Sequence, residues 1–295
     1  MRLSIALALA VPASVALSIA ACSQSQAPTC SSGAPLSVCA GKSTLKGVDV
    51  SSYQGTIQWP TVKAAGITFA FARVSDGTAY PDPDFAANWK GMKSAGVVRG
   101  VYQYFEPAVD PTAQANLLLS SVAAAGGFEP GDIPPVMDIE TTGGQSTTTI
   151  QAHMKTWLGV IENAVGRKPL IYTSSGFGPN IGTGFGAYPL WVANWGVTCP
   201  SLPGGWTSWV FWQTADNGSV KGITGLVDLD EFNGAPADLT AFGFPASSTD
   251  GGTGSGDAGA VPDASSDGGV APGDGGVAPP GDGGGTGDAA SPCGP

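Results

Sequence analysis

Between Leu45 and Phe244 the sequence alternates short apolar runs with amphipathic stretches of helical length, a rhythm that few folds accommodate. The runs at 46–50, 68–73, 98–104, 135–140, 169–173, 190–193, 210–214 and 227–232 are of strand length. Helices are expected at 84–95, 110–126 and 147–165, each with a physical reason to begin or end there. Asp110-Pro111 offers an N-cap acceptor and a first-turn proline, and Gly126 a stop. In the longest helix Ile150, Met154, Trp157, Leu158 and Ile161 share a face and Gly166 follows. Phe85, Trp89 and Met92 align likewise ahead of Gly96. The first five runs are separated by helix-length segments, the last three by Gly- and Pro-rich connections too short or irregular for good helices. Strand followed by helix implies an α/β domain with a parallel sheet, and eight strands suggest closure into a TIM-like barrel with an irregular last third. An open doubly wound sheet is the alternative, because periodicity does not reveal closure.

The ends of the chain are read as something other than domain. Met1-Arg2, an apolar run from Leu3 to Ala21 and the absence of a basic stop describe an export signal over 1–21. Ile19-Ala20-Ala21-Cys22 resembles the lipobox of bacterial lipoproteins, in which the new N-terminal cysteine is acylated and buries many methylenes in a membrane. Cys22 is therefore the expected lipidation site, and Ser23 behind it leans toward the outer membrane or cell surface; plain secretion is the alternative. Residues 22–44 are expected to form a flexible Ser/Pro/Ala tether and 245–295 a tail with too little apolar area to order a core. The catalytic domain is thus expected at 45–244. Cys30, Cys39, Cys199 and Cys293 remain for disulfides; Cys30–Cys39 would close a small loop, but pairing does not follow from sequence. The formal charge of −11 includes seven aspartates of 246–295, leaving −4 elsewhere, with no basic footprint for nucleic acid.

In a barrel the reactive groups stand at the C-terminal strand ends. There the sequence places Asp49, Arg73 and Asp76, Tyr102 and Tyr104, Asp138 and Glu140, Tyr172, Trp191 and Asn194, Gln213, and Asp228 with Asp230. Asp138-Ile139-Glu140 is the sharpest element, because residues two apart on a strand share a face, about 6.6–6.8 Å apart. Two carboxyls in one cleft raise the proton affinity of one of them, which gives an acid and a carboxylate together, as glycoside cleavage requires. Glu140 is the expected general acid and Asp138 the stabiliser of an oxocarbenium-like transition state. His153, the single histidine, falls inside a helix, which leaves a histidine-based mechanism poorly supplied. The strand-end aromatics suit the apolar faces of sugars. No zinc-type spacing, nucleophile elbow or phosphate-cradling glycine pattern occurs, so no metal or cofactor is expected.

With these residues assembled, the stretch from Lys46 to Gly234 resembles the glycoside hydrolase family 25 lysozymes, the Chalaropsis-type N-acetylmuramidases. The resemblance rests on Gly47-Val48-Asp49-Val50-Ser51-Ser52-Tyr53-Gln54-Gly55, on Phe69 to Gly77, and on Gly100-Val101-Tyr102-Gln103-Tyr104-Phe105. Asp138-Ile139-Glu140, Leu170-Ile171-Tyr172-Thr173, Leu190-Trp191-Val192-Ala193, Phe211-Trp212-Gln213 and Val227-Asp228-Leu229-Asp230 follow in family order. It departs from the family at Asp76, where Glu is usual, and at Trp195, where a Tyr-type aromatic is frequent. The resemblance implies an irregular (β/α)5(β)3 barrel that hydrolyses the β-1,4 bond from N-acetylmuramic acid to N-acetylglucosamine in peptidoglycan strands. Carried onto this chain, it makes Glu140 the acid/base, Asp138 its partner, and Asp49 and Asp228 supporting carboxylates. It also implies retention of configuration, with a protein carboxylate or the substrate's 2-acetamido group as nucleophile. A monomer is expected, touching membrane through its lipid alone. A glycan-binding protein without catalysis, or a hydrolase of another 2-acetamido polymer such as chitin, remains the alternative.

Overall fold

The computed structural model describes residues 36–246. The export signal, Cys22, Cys30, Cys293 and the tail beyond 246 lie outside the described residues. Within them nine strands form, eight of which close into a barrel. These are β1 (Leu45–Val50), β2 (Phe69–Asp76), β3 (Tyr80–Pro81), β4 (Val98–Tyr104), β5 (Val136–Asp138), β6 (Leu170–Ser174), β7 (Leu190–Ala193), β8 (Phe211–Gly218) and β9 (Val227–Phe232). Strands β1, β2 and β4 through β8 run parallel, while β9 is antiparallel to both β8 and β1 and closes the ring. The short β3 is a hairpin arm on β2.

Helices α1 (Trp59–Ala64), α2 (Phe85–Ala95), α3 (Pro111–Ala124), α4 (Thr147–Val165) and the single turn α5 (Gly178–Ile181) follow the first five barrel strands, and α6 (Pro236–Phe242) ends the domain. The expected boundaries hold to within a few residues, and the local chemistry explains them. Asp110 accepts from the amides of Thr112 and Ala113 at the head of α3, and Ser146 accepts from Thr149 at the head of α4. Gly96 and Gly166 end α2 and α4 in left-handed conformation, where a side chain would be strained. The short α1 and α6 were not expected, since each is too brief to show a period.

Strand alternation divides the core in two. Val48, Val50, Ala70, Ala72, Val101, Met137, Ile171 and Val192 face outward under the helices. Phe69, Phe71, Tyr102, Val136, Leu170, Tyr172, Trp191, Phe211 and Phe232 fill the interior. So many rings fit because Gly47 and Gly100 stand at interior positions, where an added Cβ would meet the rings of Phe69 and Phe71.

At the margins one expectation is corrected and one open pairing is answered. Residues 36–44 do not extend the tether: Val38 N donates to Pro200 O (3.0 Å), Leu202 N to Leu36 O (2.8 Å), and Trp209 Nε1 to Val38 O (2.7 Å). Cys39 is bonded to Cys199 rather than to Cys30, closing 160 residues instead of a small loop. The pairing follows from the docking of 36–39 against 199–202, which sequence spacing does not reveal.

Gly100→Ala should destabilise the domain by about 1–3 kcal/mol through overpacking against Phe71, lowering Tm by about 2–4 °C per kcal/mol in thermal unfolding.

Candidate active site

Eleven of the expected residues line one cleft of ≈ 400 Å3 at the C-terminal mouth of the barrel: Asp49, Arg73, Asp76, Tyr102, Tyr104, Asp138, Glu140, Tyr172, Trp191, Gln213 and Asp228. Asp138 is fixed by backbone bonds on both flanks, Phe105 N to its carbonyl (2.8 Å) and Ile139 N to Tyr172 O (3.0 Å). Extended backbone here turns Ile139 outward into the core and leaves Asp138 and Glu140 on the cleft side. Arg73 and Asp76 are three apart, a spacing that a regular strand would send to opposite faces. A register shift between Arg73 and Ser75 corrects this, pairing Arg73 with Tyr102 and Asp76 with Tyr104. The Arg73 guanidinium is held by Asp82 (3.1 Å) and lies 5.2 Å from the Tyr53 ring centre.

Gln213 is the hub of the opposite wall. Its Oε1 accepts from Tyr172 OH and Trp195 Nε1, both at 2.9 Å. An indole nitrogen only donates, so the amide orientation is fixed and Nε2 points at Asp49 Oδ2 (2.8 Å) and Asp228 Oδ2 (3.4 Å).

The electrostatics are those of crowded carboxyls. Asp49 and Asp228 stand opposite each other across β1 and β9. Burial first, then Asp230 and Asp228, hold the Asp49 carboxyl well above its ordinary value. Burial also raises Asp228, partly offset by its interaction with Asp49. Asp138 is raised by burial and then by Glu140, with Arg73 pulling the other way. Glu140 is raised by partial desolvation and then by Asp228, although its side chain reaches exposed rim. These groups titrate together, so at least one proton stays in the cleft above the usual carboxylate range. Burial also raises Tyr102, Tyr104 and Tyr172, which remain neutral donors.

Two expected residues stand apart from this cleft. Asn194 lies in an adjoining groove of ≈ 330 Å3 that shares Glu140 and Tyr172 with the cleft and is walled by Trp195. Asp230 is 2 % exposed and lies beneath, accepting from Trp191 Nε1 at 2.9 Å. Trp191, stacked on Phe71 with ring centres 4.3 Å apart, is a covered floor and not an open platform for sugar. Sequence reasoning left out Ser51, Tyr53 and Gln54 as cleft residues, although their place just after β1 was the signal. A larger cavity, ≈ 640 Å3, lined by Thr61 of α1 and Val220 and Lys221 of the β8–β9 connection, contains neither Asp138 nor Glu140; size does not select the site.

The family model for "Glycosyl hydrolases family 25" matches residues 48–223, a span that carries Asp49, Asp138, Glu140 and Gln213. The chain belongs to that family. As a family 25 glycoside hydrolase it is 37% identical over 205 residues to the uncharacterized protein YegX of Escherichia coli K12, across 68% of this chain and 73% of the relative. It is 37% identical to "Lysozyme M1" of Streptomyces globisporus, across 68% of this chain and 72% of the relative. The crystal structure of a lysozyme from Streptomyces coelicolor superposes with a TM-score of 0.63 at 36% identity, covering 68% of this chain and 98% of that one. The family 25 fold, an eight-strand closed barrel with few helices, is thereby shared.

Asp230 generates a stability prediction. Its carboxyl is raised by burial, so the folded state binds its proton more tightly than the unfolded chain. That contribution is complete below the unfolded value, about pH 4, and is lost as pH rises toward the folded value. Asp230→Asn keeps an acceptor for Trp191 and removes the charge. It should raise Tm at pH 7 by about 2–4 °C, roughly 1 kcal/mol, with the gain vanishing toward pH 4.

Proposed function

We propose that this family 25 enzyme is a lysozyme that hydrolyses the β-1,4 bond between N-acetylmuramic acid and N-acetylglucosamine in peptidoglycan. The observation that carries the reading is the Asp138–Glu140 pair, two carboxyls of raised proton affinity facing one open cleft. The relatives support it: Lysozyme M1, and at 29% identity an N,O-diacetylmuramidase of Chalaropsis sp that the match covers over 96% of its length.

Glu140, at the accessible rim, protonates the bridging oxygen and then takes a proton from water. Asp138 lies deeper, with Oδ1 buried and unpartnered among the described residues. It is disposed to take up positive charge at the anomeric carbon or to accept from the N–H of the 2-acetamido group. Asp49, Asp228 and Gln213 set the charge that surrounds the pair. Replacing Glu140 by Gln should leave Tm unchanged to within a few degrees and slow release of new reducing ends from purified peptidoglycan by about 10²- to 10⁴-fold. Equal turnover by mutant and parent removes Glu140 from the mechanism, and sugar binding without turnover by the parent favours a glycan-binding role.

The same reading has the protein exported and held on the membrane by an acylated Cys22. The Cys39–Cys199 disulfide supports export, since such bonds persist in oxidising compartments. Cys22→Ala should move the protein from the membrane to the soluble fraction of a bacterial host; retention on the membrane would exclude this anchor.

A further inference from the structure

The groove beside the cleft has a wall without regular structure. From Asn194 to Val210 the chain forms neither helix nor strand beyond an isolated bridge at Ser201, a length at which connections are usually functional. Its first residues, Asn194 and Trp195, border the groove that shares Glu140 with the main cleft. Trp195 is 49% exposed, and its indole N–H reaches Gln213, the hub beside Asp49 and Asp228. Asn194 N and Gly196 N bond to β8 through Gln213 O (3.2 Å) and Thr214 O (3.3 Å).

Beyond Gly196 the loop's partner is a different part of the chain. Cys199 is bonded to Cys39, Pro200 O accepts from Val38 N, Ser201 pairs with Ser37, and Leu202 N donates to Leu36 O. The order imposed there returns toward the groove, because Ser201 N donates to Asn194 Oδ1 at 2.8 Å. The strap 36–39 precedes the span that the family model matches, which begins at residue 48. A segment outside the matched span thus secures a wall of the groove that adjoins the cleft.

We propose that Cys39 and Cys199 are positioning residues: their crosslink pins the loop so that Asn194 and Trp195 present a fixed surface to the glycan on one side of Glu140. This rests on the lysozyme reading. An exposed indole beside a polar side chain binds sugar well only when its orientation is settled in advance, since ordering a loose loop on binding costs affinity. The crosslink therefore acts on binding, not on the chemical step. Cys39 lies at the surface, within reach of a reductant.

The test compares the full-length protein with its Cys39→Ser/Cys199→Ser double variant on soluble peptidoglycan strands below the Tm of both. The expected result is a KM raised roughly 3- to 30-fold with kcat held within about twofold. Trp195→Ala should raise KM in the crosslinked protein and add little in the uncrosslinked one, the signature of two changes acting through one element. Should the double variant not fold, wild type treated with dithiothreitol, which gives two electrons and two protons to the Cys39–Cys199 bond and is itself oxidised to a cyclic disulfide, must show the same KM shift. A KM indifferent to the crosslink, with only Tm lowered, overturns the proposal. Failure of the parent to cleave the strands at all would instead sink the lysozyme reading.

Discussion

The closing of the barrel by an antiparallel strand sets everything at its mouth. Because β9 returns beside β1, Asp228 is brought directly opposite Asp49, where like charges on paired strands repel. The domain answers that repulsion with the amide of Gln213, which donates to both carboxylates, and with a raised proton affinity at each. Asp138 and Glu140 stand in the same field: burial first raises both, and Asp228, brought in by barrel closure, adds to Glu140 and, behind Glu140 itself, to Asp138.

A dense floor keeps those carboxyls from relaxing apart. Trp191 is stacked on Phe71, edge-on to Tyr172, and bonded to Asp230, and below it Phe71 packs against Phe69 and Phe211. Rigid rings in a glycine-lined interior hold the cleft layer at fixed height, which preorganises polar groups better than flexible side chains would. At Asp230 a buried carboxyl orients the floor through Trp191, while its second oxygen has no hydrogen-bond partner among the described residues.

Much of this is legible in the amino-acid sequence. The eight barrel strands, the three long helices and the convergence of Asp49, Asp138, Glu140, Gln213 and Asp228 followed from period, caps and strand ends. The rest was hidden for identifiable reasons. The direction of β9 is not written in its apolar pattern, since parallel and antiparallel strands share a period of two. The shift at Arg73 depends on pairing with β4. Trp191 and Asp230 lie within β7 and β9 and not at their ends, and that depth in the barrel separates floor from open cleft.

What the sequence determined by itself was local: where elements begin and end, and that Asp138 and Glu140 would share a face, because backbone geometry fixes side-chain direction over two residues. What only the tertiary structure decided was which distant groups meet. The Asp49–Asp228 contact, the Gln213 hub and the Cys39–Cys199 crosslink each join residues more than 150 apart or across different strands. Such meetings depend on the closure and register of the whole ring, a property of all its strands together that no single segment encodes.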